Sequence, residues 1–576
     1  MKSLKQLITS ISAIAIALSA SAYDIEVDDI FYNINSDGAT LTVVEKYMSK
    51  YYGNITIPES VESDGVTYTV TKIGDKAFYE CEELRSVNLP GTLTEIGVQS
   101  FEKCVKLAAI EIPDAVTTIG DRAFAQCSKM VSVPLPASLQ SIGNECFIYC
   151  SSLSSISIPD QLKTIGSKAF ADCTGLTEVT IGKSVKTINA GAFQNCELID
   201  KVNITDLAAW CSIDFCPTYT EIEILKPGPY DYMYDIYGST TSNPLYNGAK
   251  LVINGEVLTS LNIPSTVKKI GRYAFYSYQS LTSLTIPPSV TTIGEGAFSG
   301  CLGLESLEIP NSVTTIGNAA FRYCAGLKSL EIPDNVTSIG EWAFGHCTKI
   351  ESLRLGKGLT EVNRMAFIDC SSLKSIEWTT SIKSIGAFAF DGCSSLGTIE
   401  IPNSVTYIGD MAFLGNGLTA IIIPESVRII GSKAFCGSKL KTVDIGPSVT
   451  TMGEDSFESE TITSFTCRCA TPPTIVSNVS NYWNITSDKV YQNVPLYVPE
   501  GSAELYRAQY PWSKFVTIKE FPTGDGVETV SIDALDPAAP VEVYDLGGRR
   551  LGSDLGALPS GIYLVKQGSR LSKVAR

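Results

Sequence analysis

Hydrophobic and polar positions in residues 281–303, LTSLTIPPSVTTIGEGAFSGCLG, form a phrase that begins again at Leu304. Leu281, Leu284 and Ile286 face one way while Ser283 and Thr285 face the other, the alternation of a short strand with one buried side. Pro287 removes a ladder donor and turns the chain, and Gly182, Gly356 or Gly446 fills that slot elsewhere. Val290 and Ile293 predict a second short extended segment, and Ala297 with Phe298 predict a brief helical or 3₁₀ turn that plugs the coil. The slot of Gly294 holds Gly97, Gly120, Gly166 and Gly317, with Asn189 and Asn363 as exceptions, which predicts a left-handed backbone there. The phenylalanine returns every 23 residues at Phe78, Phe101, Phe124, Phe147, Phe170 and Phe193, and again across 275–413. Such a period predicts a solenoid, because one coil cannot bury its apolar face without stacking on its neighbours.

The phrase Leu-x-x-Leu-x-Ile-Pro followed by Ile-Gly-x-x-Ala-Phe-x-x-Cys resembles the BspA-like leucine-rich repeats of bacterial surface proteins, over roughly residues 73 to 465. The resemblance implies an α/β leucine-rich-repeat right-handed superhelix, a β-rich solenoid with β-rich terminal caps. It also implies a surface role in adhesion or binding, and no catalytic site.

Flanking segments break the period. Residues 1–22 carry Lys2 and Lys5, an apolar run and the ending Ala20-Ser21-Ala22, which reads as a secretory signal peptide too short to span a membrane. Residues 23–72 alternate as a hairpin around Asn35-Ser36-Asp37-Gly38 and predict an amino-terminal β cap. An irregular insertion occupies 197–263, with the solenoid expected to continue beneath it, and 466–521 predicts a carboxy-terminal cap. Residues 522–576 resemble the sorting domain of type IX secretion cargo through Tyr544-Asp545 with Gly548-Arg549, and Leu558-Pro559-Ser560-Gly561-Ile562-Tyr563; this segment is shorter than the usual domain. The resemblance implies delivery to the cell surface.

A net charge of −17 argues against nucleic acid as partner. With His346 as the single histidine, a histidine dyad, a triad or a multi-histidine metal site is excluded, and His346 reads as loop filler. No cofactor is expected. Eleven of the seventeen cysteines follow the repeat phenylalanine by three residues. Stacked coils would space them about 4.7–5 Å apart and parallel, too far and wrongly aimed for disulfides, so they read as a ladder of reduced thiols. Their even line does not suit a tetrahedral zinc site. Cys211 with Cys216, and Cys467 with Cys469, are the pairs that oxidation could join.

Three groups of residues are candidate binding elements. Tyr230, Tyr232, Tyr234 and Tyr237 in the insertion could form a contact loop, or could roof an irregular coil. In the second array the outward strand position reads Thr285, Glu308, Glu331, Arg354, Glu377, Glu400, Ile422 and Asp444, beside a serine column. That face suits a basic or hydroxyl-rich ligand or loosely held Ca²⁺, the alternative being a solvated sheet face that resists aggregation. Glu308 and Glu331 approach the roughly 5 Å spacing of a retaining glycosidase, but a flat exposed ladder lacks the desolvation that splits two carboxyl pKa values. The third group lies two residues after the repeat glycine. Lys76, Gln99, Arg122, Glu145 and Lys168 of the first array become Trp342, Met365, Phe388 and Met411 in the second. This predicts an exposed stripe for a partner or for self-association, or else packing under adjacent loops. The sequence reading is of an exported, non-enzymatic surface protein, an adhesin for host or neighbouring-cell protein. Its rival is a structural or glycan-capture component of the cell envelope.

Overall fold

The computed structural model describes residues 23–215, 242–477 and 484–521, and within the carboxy-terminal segment 529–530, 540–544, 550–555, 562–567 and 570–575. The chain divides into two compact units, 1–281 and 282–576. Both are built from the same coil.

In the first unit the hairpin of Ile30–Ile34 and Thr40–Val43 pairs antiparallel, Tyr32 opposite Val43. Thr40–Val43 then pairs in parallel with Val66–Ile73, which starts the ladder proper. That ladder runs through the dipeptides ending on Ile73, Ile96, Ile119, Ile142, Ile165 and Ile188 in register, and ends on Asp214–Phe215. Each isoleucine is buried, and the residue before it is half-buried, or exposed at Thr118. The expected leading strand is less regular. It pairs fully at Glu178–Ile181 with Lys201–Ile204, yet shrinks to the single bridge Ala109 to Ser132 in earlier coils.

On either side of residues 216–241 the strands are adjacent: Lys201–Ile204 pairs directly in parallel with Lys250–Ile253. A short helix, Leu207–Cys211, is capped by Asp206, whose carboxylate accepts the Ala209 N–H at 3.0 Å. It delivers Trp210, whose indole N–H donates to the Ala274 carbonyl at 2.9 Å. Asn243 donates to the Tyr273 carbonyl at 2.6 Å. The insertion thereby satisfies the Ala274 carbonyl, a group that an ordinary coil pairs by stacking, as Ala123 accepts from Phe101.

The phenylalanine plug is a turn and not a 3₁₀ segment. In one coil Ala77 donates to Gly74, Tyr79 to Lys76 and Cys81 to Phe78, while Lys76, Phe78 and Glu80 donate outward to Val98, Ser100 and Glu102 of the next coil. This alternation makes a further inter-coil ladder that the strand pattern does not announce. It requires positive φ at Lys76 (58°) and Glu80 (59°), and the equivalents recur down both units, including Met365 (57°) and Asp369 (55°). The left-handed residue is therefore two positions beyond the expected glycine. Glycine serves close approach instead: a Cβ on Gly97 would lie 2.7 Å from the Asp75 nitrogen, and one on Gly340 would lie 2.3 Å from the Asn318 nitrogen.

Inside the coils the rings stack face to face. Centroids lie 4.9–5.5 Å apart from Phe78 to Phe193, and 5.3–5.7 Å apart from Phe298 to Phe457, with interplanar angles no greater than 10°. In the second unit Ser464–Cys467, Leu496–Pro499 and Ile518–Phe521 extend the parallel ladder. Helix Ala503–Ala508 places Tyr506 to donate to the Cys469 carbonyl at 2.8 Å, and the 3₁₀ turn Trp512–Lys514 places Trp512 to donate to the Pro473 carbonyl at 2.9 Å. Beyond it, Arg570–Ala575, Ile562–Gln567 and Val541–Tyr544 belong to a separate five-stranded sheet around Val543, Leu555, Val565 and Val574.

Candidate functional site

The cysteine ladder is made of free thiols, and its chemistry is specific. Cys104 donates to the Phe78 carbonyl at 3.1 Å, Cys127 to Phe101 at 3.2 Å, and Cys347 to Phe321 at 3.2 Å, each reaching the coil before its own. Burial pushes the thiols up, to about 12 for Cys150, Cys196 and Cys370, so they stay protonated and inert. In the shortened coils, which the 23-residue count leaves without this position, Ser438 takes it and donates to Phe435 at 2.6 Å, and Asn416 donates to Phe413. Cys467 and Cys469 are buried free thiols, with Tyr506 donating to Cys467 at 3.1 Å. Cys211 is buried and free, while Cys216 lies outside the described residues. So do Tyr230, Tyr232, Tyr234 and Tyr237.

The apolar column is not an open patch. Met365, Phe388 and Met411 are 4–7 % exposed and form one cluster with Ile368, against which Trp342, Ala387 and Leu414 pack. Side chains one repeat apart cover each other, and cations cover two of the rings: the Arg322 guanidinium lies 4.2 Å from the Trp342 ring centre, and Arg364 lies 5.8 Å from that of Phe388. His346 is no loose filler either. Its ring stacks on Tyr323 at 4.5 Å, and Nδ1 meets the Asp369 carboxylate at 3.1 Å.

The outward strand face remains open. Ser329, Ser352 and Ser375 stand in register, as do Glu331, Arg354 and Glu377. Glu331 and Glu377 are more than seventy per cent exposed, and Glu308 and Glu400 are also exposed, but these last two fall in coils without an assigned leading strand. Arg354 interrupts the acidic column, where its guanidinium reaches Glu331 at 3.1 Å, Asp334 at 3.2 Å and Glu377 at 3.8 Å. Asp444 is likewise engaged, by Arg468 at 2.8 Å. The column is thus mixed in sign, which relieves the stacking repulsion that bare carboxylates at strand spacing would suffer. Against it lies a pocket of about 530 Å³ lined by Glu308, Asn311, Glu331, Asp334, Asn335 and Arg354, with Pro310 and Pro333 as its apolar wall. Glu308 and Glu331 both line this open space.

Among the described residues no three His, Cys, Asp or Glu side chains converge as a metal site would need, and no helix is long and apolar enough to cross a membrane.

No curated protein matches the chain. Among solved structures, a leucine-rich repeat protein from Bacteroides ovatus ATCC 8483 is 28% identical over 75% of this chain and 94% of its own, with a TM-score of 0.48. A leucine-rich cell surface protein from Faecalibacterium prausnitzii A2-165 is 24% identical over 74% of this chain and 95% of its own, with a TM-score of 0.37. A leucine-rich repeat protein from T. pallidum is 31% identical over 31% of this chain and 85% of its own, with a TM-score of 0.28. The BspA type leucine-rich repeat region matches residues 48–151, 71–200, 253–374 and 360–478, well over half of the sequence. By its repeats, its stacked coils and that match, the chain belongs to the BspA type leucine-rich repeat family.

Proposed function

We propose that this protein is exported and displayed at a cell surface, where it acts as an adhesin for protein of a host or neighbouring cell. The binding element is the outward strand column of the second unit. The observation that carries this reading is the pocket along Glu308, Glu331 and Arg354, where the Glu331 carboxylate and the Arg354 guanidinium stand in register beside an open polar cavity. A mixed-sign face of this kind complements the paired charges of a protein surface, and among the described residues no aromatic ring lines the pocket for a sugar to stack on. The rigid ladder beneath keeps the charges in place without cost at the moment of binding. Residues 1–22 and the sorting-like pattern near the carboxy terminus support export.

The second reading, glycan or subunit capture in an envelope assembly, is favoured by the hydroxyls of Ser329, Ser352 and Ser375 in one column. Binding of the chain from residue 23 to immobilised matrix proteins, mucins and polysaccharides, at low and high salt, separates the two. Protein hits that weaken with salt support the adhesin, since exposed charges are screened over about 8 Å at physiological ionic strength. Hits confined to polysaccharide support capture.

A further inference from the structure

A second polar cluster of the second unit lies in its turns, on residues that the outward strand face does not use. Tyr323, His346 and Asp369 occupy one left-handed column, with φ of 61°, 60° and 55°, and each follows a repeat phenylalanine by two residues. Their N–H groups donate to Gly345, Ile368 and Asp391 of the next coil, so the three stand one coil apart along the same edge. The His346 ring stacks on Tyr323 at 4.5 Å, and its Nδ1 meets the Asp369 carboxylate at 3.1 Å. Nε2 of the imidazole has no partner among the described residues.

Arg322 sits beside this column. Its guanidinium is held by rings, 4.2 Å from the Trp342 centre and 4.6 Å from that of Tyr323, and Nη2 donates to the Tyr323 hydroxyl at 3.0 Å. Among the described residues the other half-buried arginines, Arg122, Arg272, Arg354, Arg364 and Arg468, each reach a carboxylate of the chain. Arg322 reaches none among them: Nε is buried without a partner, and Nη1 meets no acceptor. Aromatic stacking engages the faces of a guanidinium and leaves its edge, where the N–H groups lie, free for a planar anion.

We propose that Arg322, Tyr323, His346 and Asp369 form a binding site for an acidic sugar, a pyranose that carries a carboxylate. The carboxylate takes the open edge of the Arg322 guanidinium, and the sugar hydroxyls pair with the Tyr323 hydroxyl, His346 Nε2 and the Asp369 carboxylate. Tyr323 is 40 % exposed and half of the Asp369 side chain is open to solvent, so both are within reach of a ligand. Asp369 decides the class of ligand. Its charge opposes an acidic peptide, which brings carboxylates alone, but it accepts from the hydroxyls of a sugar. The site shares no residue with the pocket along Glu308, Glu331 and Arg354, so it stands or falls apart from either reading of that face.

His346 is the single histidine of the chain, so its imidazole NMR signal reports on this site alone. The test is titration of the full chain, labelled with ¹³C-histidine and held at one pH, with sodium glucuronate. Glucose serves as the neutral sugar, and the α-amide of N-acetylglutamate as the acidic peptide. Glucuronate should shift the His346 signal and saturate, while each of the other two, lacking half of the contacts, should bind about tenfold more weakly or less. Arg322→Gln keeps the length of the side chain without its charge and should weaken glucuronate by about tenfold or more. The absence of any glucuronate shift in the wild type overturns the proposal, as does equal binding by Arg322→Gln. An equal response to the glutamate amide would make this a site for acidic peptide and overturn the assignment to a sugar. The wild-type titrations need no variant, so they decide the matter even where Arg322→Gln fails to fold.

Discussion

The left-handed column solves one problem in two ways. In the first unit Arg122 sits there with φ 56° and binds Glu102 at 2.7 Å, while Gln99 donates to the same carboxylate at 2.6 Å and Arg122 also meets Glu145 of the next coil. In the second unit Met365 and Phe388 sit there with φ 57° and pack on each other. Backbone, hydrogen-bond ladder and phenylalanine stack are the same in both, yet one column is held by charge and the other by apolar contact. The scaffold therefore fixes where a side chain stands and leaves its chemistry free, which is how one repeat can carry different surfaces.

The comparison breaks first at the shared core. Phe147→Ala and Phe344→Ala each leave a gap between flat stacked neighbours and should cost about 3–5 kcal/mol in chemical denaturation, alike in the two units. A large difference would mean that the coils are not equivalent. The columns themselves should then part company. Arg122→Ala strands the buried Glu102 carboxylate and should cost about 3 kcal/mol, whereas Met365→Ala should cost about 2 kcal/mol and respond far less to pH. Burial works against the Glu102 carboxylate, but Arg122 and Gln99 outweigh it and hold its pKa below the usual value. Its contribution is therefore complete above the ordinary glutamate range and is lost as pH falls through the depressed folded value. Denaturation at pH 3.5 and 7 checks the sign: the penalty of Arg122→Ala should shrink at the lower pH. The smallest effect is at the thiols. Cys150→Ala and Cys347→Ala each remove one weak hydrogen bond and a little volume, so about 1 kcal/mol is expected in either unit.

The period, the inward residues and the free thiols were all legible in the sequence, because each follows from spacing alone. The location of the left-handed residue was not. A recurring glycine suggests positive φ, but Gly97 and Gly340 are glycine because the preceding coil leaves no room for a Cβ. The missed signal was the residue type two positions later: Lys76, Gln99, Arg122, Tyr273, Trp342, Met365 and Asp455 include no β-branched side chain, the kind that left-handed backbone tolerates least. The apolar column was read as two alternatives, and spacing could not choose between them. Whether four such residues are open depends on their leaning across one repeat onto each other, which is a matter of side-chain direction. Arg354 was visible as a break in the acidic column, but its reach to three carboxylates needed the register of three strands.

The most direct test transplants the outward column between units. Glu331→Ser, Arg354→Thr and Glu377→Asn together give the second unit the residue types that Ser157, Thr180 and Asn203 supply in the first. Binding of this variant to the protein hits of the immobilised array is the measurement. The account predicts an unchanged melting temperature and loss of the salt-sensitive binding. Full binding by a folded variant would contradict it and move the contact surface away from this face.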